Sequence, residues 1–582
     1  MDVAADHTLD PLDAGWRALA EGAWEDARVN FAAALQREET AEALEGLGWA
    51  AWWLNDVPVT FDARERAYRR YREDGDKQAA SRMAVSLAAD HFLRRGEHAV
   101  ADGWFQRAHH LLDGLDPCPE HAMLSIWESY VAVIFHHDTV TARQLGAEAR
   151  ALAGSLGVVD LEMLAQASLG FATVCEGNIA EGMRLLDEAT AAAVGGEMTD
   201  PDAIVTTCCY LISACERVRD YDRAGQWCNR AIRLADRWSY RFMFAYCRTH
   251  YAGVLIWRGA WPEAEAELEA ATGELAATFP AMAAEGIARL AELRRRQGRV
   301  EDAEALLDRL DAQPLRALGG KLALLGRAAL ALDRGDATTA IDLAERFLRG
   351  VPCEDQVERI DGLELLARAQ AAHGDQAQAA RSVAELQAIT AAIATPSLRG
   401  MVSFVEGVMA ATSGDHEEAR RRFEDAVDLF DEGGAPYEAA RSRLELGSAL
   451  TALRRVDAAS RELRAALSTM DRIGAVGESA RAEALLRRLE AAVSDRTGDE
   501  AAAAGLTRRE LQILRLVAQG LSDKEAATTL GLSEHTVHRH ISNVLNKLDV
   551  PSRTAAVAQA VSTVSSNPLL YDRMAETGHS AP

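Results

Sequence analysis

A phrase that returns about every forty residues constrains this chain more than any other feature. It consists of a turn residue, two or three polar or acidic residues, and then Ala-x3-large-x2-Ala. The clearest copies are Gly22 with Ala27, Phe31 and Ala34; Gly96 with Ala101, Phe105 and Ala108; and Gly414 with Ala419, Phe423 and Ala426. Weaker copies centre on Asn55, His137, Gly177, Arg219, Gly259, Gly298, Gly335, Gly374 and Arg454. From Gly96 to Arg454 successive turn positions lie 41, 40, 42, 40, 39, 37, 39, 40 and 40 residues apart, which marks a repeat architecture. The phrase encodes an antiparallel helix pair. The turn residue closes the first helix in the left-handed region. The small alanines let the second helix approach, and the large residue fills the groove between them. One such hairpin leaves an apolar face uncovered, so neighbours must stack into a solenoid. Stacking also accommodates 582 residues, too many for one compact core.

The positions Gly22, Ala27, Phe31 and Ala34 resemble those of the tetratricopeptide repeat, whose period is 34 residues. The longer period here implies longer helices or linkers. About twelve repeats are expected over residues 10–490, with 491–505 (AAVSDRTGDEAAAAG) as a linker of small and polar residues. Abundant alanine and only 6% aromatic residues favour helix over sheet, so the expected fold class is all-α. Charged residues interrupt every apolar run and the first ten residues carry no secretory signal, so the protein is expected to be cytoplasmic, without membrane association. No CxxC pair occurs. Cys208, Cys209, Cys215, Cys228 and Cys247 fall in apolar helical surroundings and are expected as free core residues rather than a thiol sensor, metal site or disulfide scaffold.

Aromatic residues crowd one part of the array: Trp227, Trp238, Tyr240, Phe242, Phe244, Tyr246, Tyr251, Trp257 and Trp261. A second cluster is Trp49, Trp52 and Trp53. Packing between helices explains most of these rings. The alternation from Trp238 to Tyr246 exceeds what one helical face absorbs, and marks the first cluster as a candidate ligand or partner pocket.

After residue 505 the sequence changes character. Thr507-x-x-Glu510 and Ser522-x-x-Glu525 are capping boxes, Ser533 is a third N-cap, and Gly520 and Gly531 stand where two helices should stop. Leu511, Leu514 and Val517 stripe the first helix, Ala526, Ala527 and Leu530 the second, and Val537, Ile541, Val544, Leu545 and Leu548 the third. The third helix also carries His535, His538, Arg539 and Ser542 on the opposite face, a polar stripe suited to a major groove. Residues 506–562 hold seven Lys/Arg against five Asp/Glu, a charge of +2, while the rest of the chain carries −28 of the total −26. A small DNA-facing unit on an acidic body fits that asymmetry.

These motifs closely resemble the LuxR/NarL-type helix-turn-helix family. The residues that carry the likeness are Leu506, Thr507, Arg509 and Glu510; Gly520, Leu521, Ser522, Lys524, Glu525 and Ala527; then Ser533, Thr536, Val537, His540, Asn543, Lys547, Leu548, Val550, Arg553, Thr554 and Ala556. The resemblance implies a four-helix domain contacting double-stranded DNA through Lys524, Ser533, His535, Thr536, Val537, His538, Arg539, Ser542 and Lys547. Thr536 and Lys547 would touch phosphates, and His538, Arg539 and Ser542 base edges; His540 is expected to be structural. Where the family commonly has lysine, this chain has His538, which gives up a permanent charge. The resemblance further implies a homodimer through the last helix, on the face of Val557, Ala560, Val561 and Val564, before a disordered tail at 565–582.

Neither a phosphoacceptor receiver unit nor an NTPase motif is visible. The nearest approach to a P-loop, Gly319-Gly320-Lys321-Leu322, lacks the first glycine at the required spacing and the hydroxyl. No catalytic constellation appears, so neither enzymatic activity nor a cofactor or metal is expected. The function expected is a sequence-specific transcription regulator whose solenoid senses a partner protein or small ligand and controls operator binding. The alternative is an interaction scaffold in which the helix-turn-helix serves dimerisation or protein capture.

Overall fold

Positive backbone φ occurs at all twelve turn positions of the repeat, from 56° at His137 to 93° at Gly374. Asn55, His137, Arg219 and Arg454 adopt it without being glycine. In the computed structural model, which describes residues 10–238, 244–311, 316–503 and 505–558, each turn joins two antiparallel helices, and no strand occurs among the described residues. Two compact units are present, Met1–Ala482 and Glu483–Pro582.

The first unit is a stack of helix pairs packed as the phrase requires. Ala27 and Phe31 are fully buried, as are Ala419 and Ala426 around Phe423. The large residue sits over glycines: a Cβ added at Gly15 would meet the Phe31 ring at 2.7 Å, and one at Gly46, in the next pair, at 2.3 Å. Phe423 occupies the space beside Gly407 in the same way. Close helix approach therefore needs both halves of the pattern, alanine on one helix and glycine facing the wedge.

Within this unit the first helices of the pairs line an axis and bury residues on nearly every side; Pro201–Val218 buries most positions from Ala203 to Cys215. The second helices bury a single stripe, as Val456–Ile473 does with Ala459, Leu463, Ala466, Met470 and Ile473. Repeats four to six apart meet across the axis. His137 Nδ1 lies 2.9 Å from Asp355 Oδ2, Arg217 Nη1 lies 2.5 Å from Glu358 Oε2, and Arg219 pairs with Asp361. Thr395 Oγ1 donates to the Val218 carbonyl at 2.9 Å, and Trp52 packs on Phe279 with centroids 5.9 Å apart. The solenoid thus winds tightly enough for successive turns to touch.

Two expectations need correction here. Cys209 and Cys247, with Cα atoms 5.0 Å apart, are disulfide-bonded and tie helix Pro201–Val218 to helix Phe244–Trp257. Helix pairing brings them together, although 38 residues separate them in sequence. The expected linker is helical as far as Ala503, continuing the helix that starts at Val476. Its alanines are strong helix formers, and no glycine or proline falls after Gly498 to interrupt it before Gly505.

In the second unit three helices follow, Arg508–Ala518, Asp523–Leu530 and Glu534–Leu548, and a helical segment covers 553–558. Both capping boxes form, and Ser533 accepts from the Thr536 amide at 3.1 Å. Gly531, at φ 64°, makes the turn into the third helix. Ile513, Val517, Ala526, Ala527 and Val537 form one core cluster, and Leu506, Leu511, Leu514, Val544 and Ala556 a second.

Candidate functional sites: the reading helix and the solenoid cavities

On the third helix of the C-terminal unit, burial of Val537 and Val544 orients the opposite face outward. His535, His538 and Arg539 are exposed there and Ser542 is half-buried, its Oγ donating to the His538 carbonyl at 3.0 Å. Arg539 and His535 have no ion-pair partner among the described residues. His538 Nδ1 stands 3.3 Å from Asp523 Oδ2, and the same carboxylate receives Arg553 Nη1 at 2.6 Å, which links the second helix to the C-terminal segment. Lys524 is exposed on the second helix, and Ser533 and Thr536 share a hydroxyl contact of 2.7 Å at the start of the third.

Residues 504–560 match the family profile described as bacterial regulatory proteins, luxR family. The C-terminal unit is a LuxR-type helix-turn-helix domain. Over 51 residues the chain is 57% identical to the nitrate/nitrite response regulator protein NarP of Escherichia coli K12, covering 9% of this chain and 24% of that protein. Over 55 residues it is 49% identical to the transcriptional regulatory protein LiaR of Bacillus subtilis 168, covering 10% of this chain and 26% of that protein. The chain thus spans about a quarter of the length of these curated relatives. Among solved structures, the Cut9 and Hcn1 hetero-tetramer of the APC/C is similar with a TM-score of 0.41 and 12% identity, over 94% of this chain and 95% of that one. The Rap protein complexed with competence and sporulation factor has a TM-score of 0.37 and 11% identity, over 68% and 98% of the two chains.

The LuxR-type domain separates the expected DNA-contacting residues into groups. Lys524, Ser533, His535, His538 and Arg539 are exposed, and Thr536 and Ser542 half-buried. Val537 is fully buried in the core and stands off the stripe. Lys547 donates from Nζ to Glu510 Oε2 at 2.7 Å, and that carboxylate also accepts from the Thr507 amide. Burial opposes ionisation of Glu510, yet Lys547 and the Thr507 bonds hold its carboxyl below the usual range. Lys547 thus pairs with Glu510 while its side chain stays 40% exposed. His540 is half-buried, with Nδ1 enclosed and without a hydrogen-bond partner among the described residues. Val557 packs against both core clusters, so it faces its own domain; Ala560, Val561 and Val564 lie outside the described residues.

In the solenoid the described members of the aromatic cluster stand at separate places rather than in one pocket. Trp227 Nε1 donates to Asp187 at 2.9 Å, and Trp261 is buried, donating to the Ile256 carbonyl at 2.9 Å beside Tyr437. Trp257 stacks on Tyr221 beneath the guanidinium groups of Arg219 and Arg296. Tyr251 is half-buried, and Tyr246 donates to Glu285 at 3.1 Å. Tyr240 and Phe242 lie outside the described residues, as do the side chains of Trp238 and Phe244. Helical phase scatters neighbours in sequence onto different faces.

Cavities lined by described residues open within the solenoid instead. One, of about 310 Å³, is walled by opposed charges. Glu216 accepts from Arg289 Nε and Nη2, each at 2.7 Å, and contacts His250 Nδ1 at 2.6 Å. Burial opposes ionisation of Glu216, but Arg289 and His250 outweigh it and hold its carboxyl down at about 2. The second, of about 100 Å³, is apolar and aromatic, walled by Trp127, Tyr130, Phe171, Tyr210, Tyr246 and Phe279. The third, of about 370 Å³, contains the Trp49, Trp52 and Trp53 cluster together with Trp16 and Trp24. Of the first cluster's described side chains, Tyr246 alone reaches the apolar cavity; its other walls come from repeats far apart in sequence, and no local pattern signals their meeting.

Proposed function

We propose that this protein is a sequence-specific DNA-binding transcription regulator. In this reading its solenoid takes a partner protein or small ligand, and occupancy of the solenoid controls operator binding by the LuxR-type domain. The observation that carries the DNA-binding part is the exposed, unpaired Arg539 beside His535 and His538 on the third helix of that domain. Arginine in such a position can make a bidentate contact to guanine, worth about 1–3 kcal/mol of discrimination. In this reading Thr536 and Lys547 contact phosphate, Lys524 and Ser533 join the DNA-binding face, and paired half-sites require a homodimer. The axial cavities support the sensing part, because concave, partly apolar spaces with a few polar groups are where ligands settle.

Genomic footprinting of the full chain, followed by titration of a recovered site, tests this reading. Arg539→Ala should weaken binding to that site while leaving binding to unrelated duplex nearly unchanged. Unaltered target occupancy by the variant would point to the scaffold alternative.

A further inference from the structure

The apolar cavity has a direction. Asp202, Val205, Thr206, Cys209, Tyr210 and Ser213 all line it, and they fall on one stripe of helix Pro201–Val218. Eleven residues of helix span about 16 Å, so the cavity runs along that helix as a narrow channel from Asp202 towards Ser213. At the Asp202 end it adjoins the tryptophan-rich cavity, with Trp52, Leu93, Ile126, Trp127, Leu164 and Asp202 bordering both.

The two ends of the channel differ in what they lack. Around the Asp202 end Arg64 pairs with Asp90 at 2.6 Å and Arg94 leans on the same carboxylate at 3.5 Å, while Arg82 pairs with Glu45 and Glu120 at 2.7 and 2.8 Å; Arg64 also acts on Asp202 through space, beyond ion-pair distance. Asp200 caps its helix by accepting from the Asp202 and Ala203 amides. The Asp202 carboxylate has no ion pair or hydrogen bond among the described residues. Deeper in, the hydroxyls of Tyr130 and Ser213 are enclosed without a partner, on side chains only 8% and 3% exposed. Between the ends the wall is aromatic and aliphatic. A buried carboxylate without a counter-ion is costly, and aromatic faces attract cations.

We infer that this channel binds an elongated organic cation, with its ammonium on Asp202 and its apolar body along helix Pro201–Val218. Burial and the neighbouring Asp200 push the Asp202 carboxyl up to about 7, with Arg64 acting against them. A carboxylate ligand would meet like charge at the same point, and a neutral one would leave Asp202 unpaired. This inference deepens the sensing part of the proposed function and rests on the ligand reading of the solenoid.

Isothermal titration of the full chain with n-octylamine, n-octanol and octanoate at pH 8, without DNA, tests it. Octylamine should bind at least about tenfold tighter than either isostere, as one buried charge contact allows. Across butyl-, hexyl- and octylamine, affinity should rise about fourfold per methylene, as burial of each group in an apolar channel requires. Asp202→Asn should abolish the preference for the amine while leaving octanol affinity unchanged. Equal binding of octanol and octylamine by the native chain overturns the inference, as does a preference that survives Asp202→Asn or the absence of octylamine binding. If the variant fails to fold, the native-chain comparison still decides. Failure here leaves the Arg539 experiment intact, and failure there leaves the calorimetry intact.

Discussion

Replacing Asp202 by asparagine keeps the side chain's shape and removes its charge. The magnitude follows from the structure. In the fold the carboxyl sits at about 7, held up by burial and by Asp200, with Asp90 acting in the same sense and Arg64 against it. In the unfolded chain an aspartate titrates at about 3.9, and each pH unit between the two values corresponds to about 1.36 kcal/mol. Below pH 4 both states are protonated and the residue costs nothing. Between pH 4 and 7 the unfolded chain ionises while the fold does not, so stability falls as pH rises; above 7 the loss is complete. Full burial would make it about 4 kcal/mol, and the partial exposure of Asp202 to the cavity reduces this to roughly 1–4 kcal/mol. Asp202→Asn should therefore be more stable than the native chain at pH 8 and nearly equal at pH 4.5. With an unfolding entropy of about 2.1 cal/mol/K per residue, an array of this size gains roughly 1–4 °C if it melts as a unit. Scanning fluorimetry of both proteins across that pH range measures the difference. A variant that melts below the native chain at pH 8, or by a pH-independent offset, refutes the reasoning.

His538→Lys should restore a permanent charge on the reading helix and steepen the dependence of DNA affinity on salt by about one counterion, measured by anisotropy at several salt concentrations. Gly407→Val places methyl groups where a single Cβ already meets the Phe423 ring at 2.6 Å. It should destabilise the array by about 1–3 kcal/mol, seen as a lower urea midpoint. Alkylation of unfolded but unreduced protein should label the six free cysteines, and reduction should raise the count by Cys209 and Cys247. Cys209→Ser should lower stability by about 3–4 kcal/mol under oxidising conditions and have little effect under reducing ones.

Local rules carried the reading a long way in two places. The turn at each repeat needs a residue that tolerates left-handed backbone, and the alanine and wedge positions need small and large side chains; both requirements are written in consecutive residues. The LuxR-type domain is short, and its capping boxes and apolar stripes lie within a few residues of one another, so its helices and outward stripe were legible. Lys547 was not. Its pairing with Glu510 joins residues 37 positions apart, and nothing local distinguishes a lysine bound to its own domain from one awaiting phosphate.

The channel shows where local reasoning stops. Asp202 follows Asp200 and Pro201 at a helix start, where an acid is ordinary because it complements the helix dipole. Its isolation depends on Trp52, Trp127 and Phe279, contributed by other repeats and brought together only by winding. The helix pairs, their period and the reading domain are specified by contacts within about forty residues, so consecutive residues are enough to encode them. The tertiary structure alone decided which rings share a cavity, which charges find partners and which cysteines meet. Those outcomes depend on the pitch of the superhelix, which accumulates from small rotations at every repeat and is written in no single one of them.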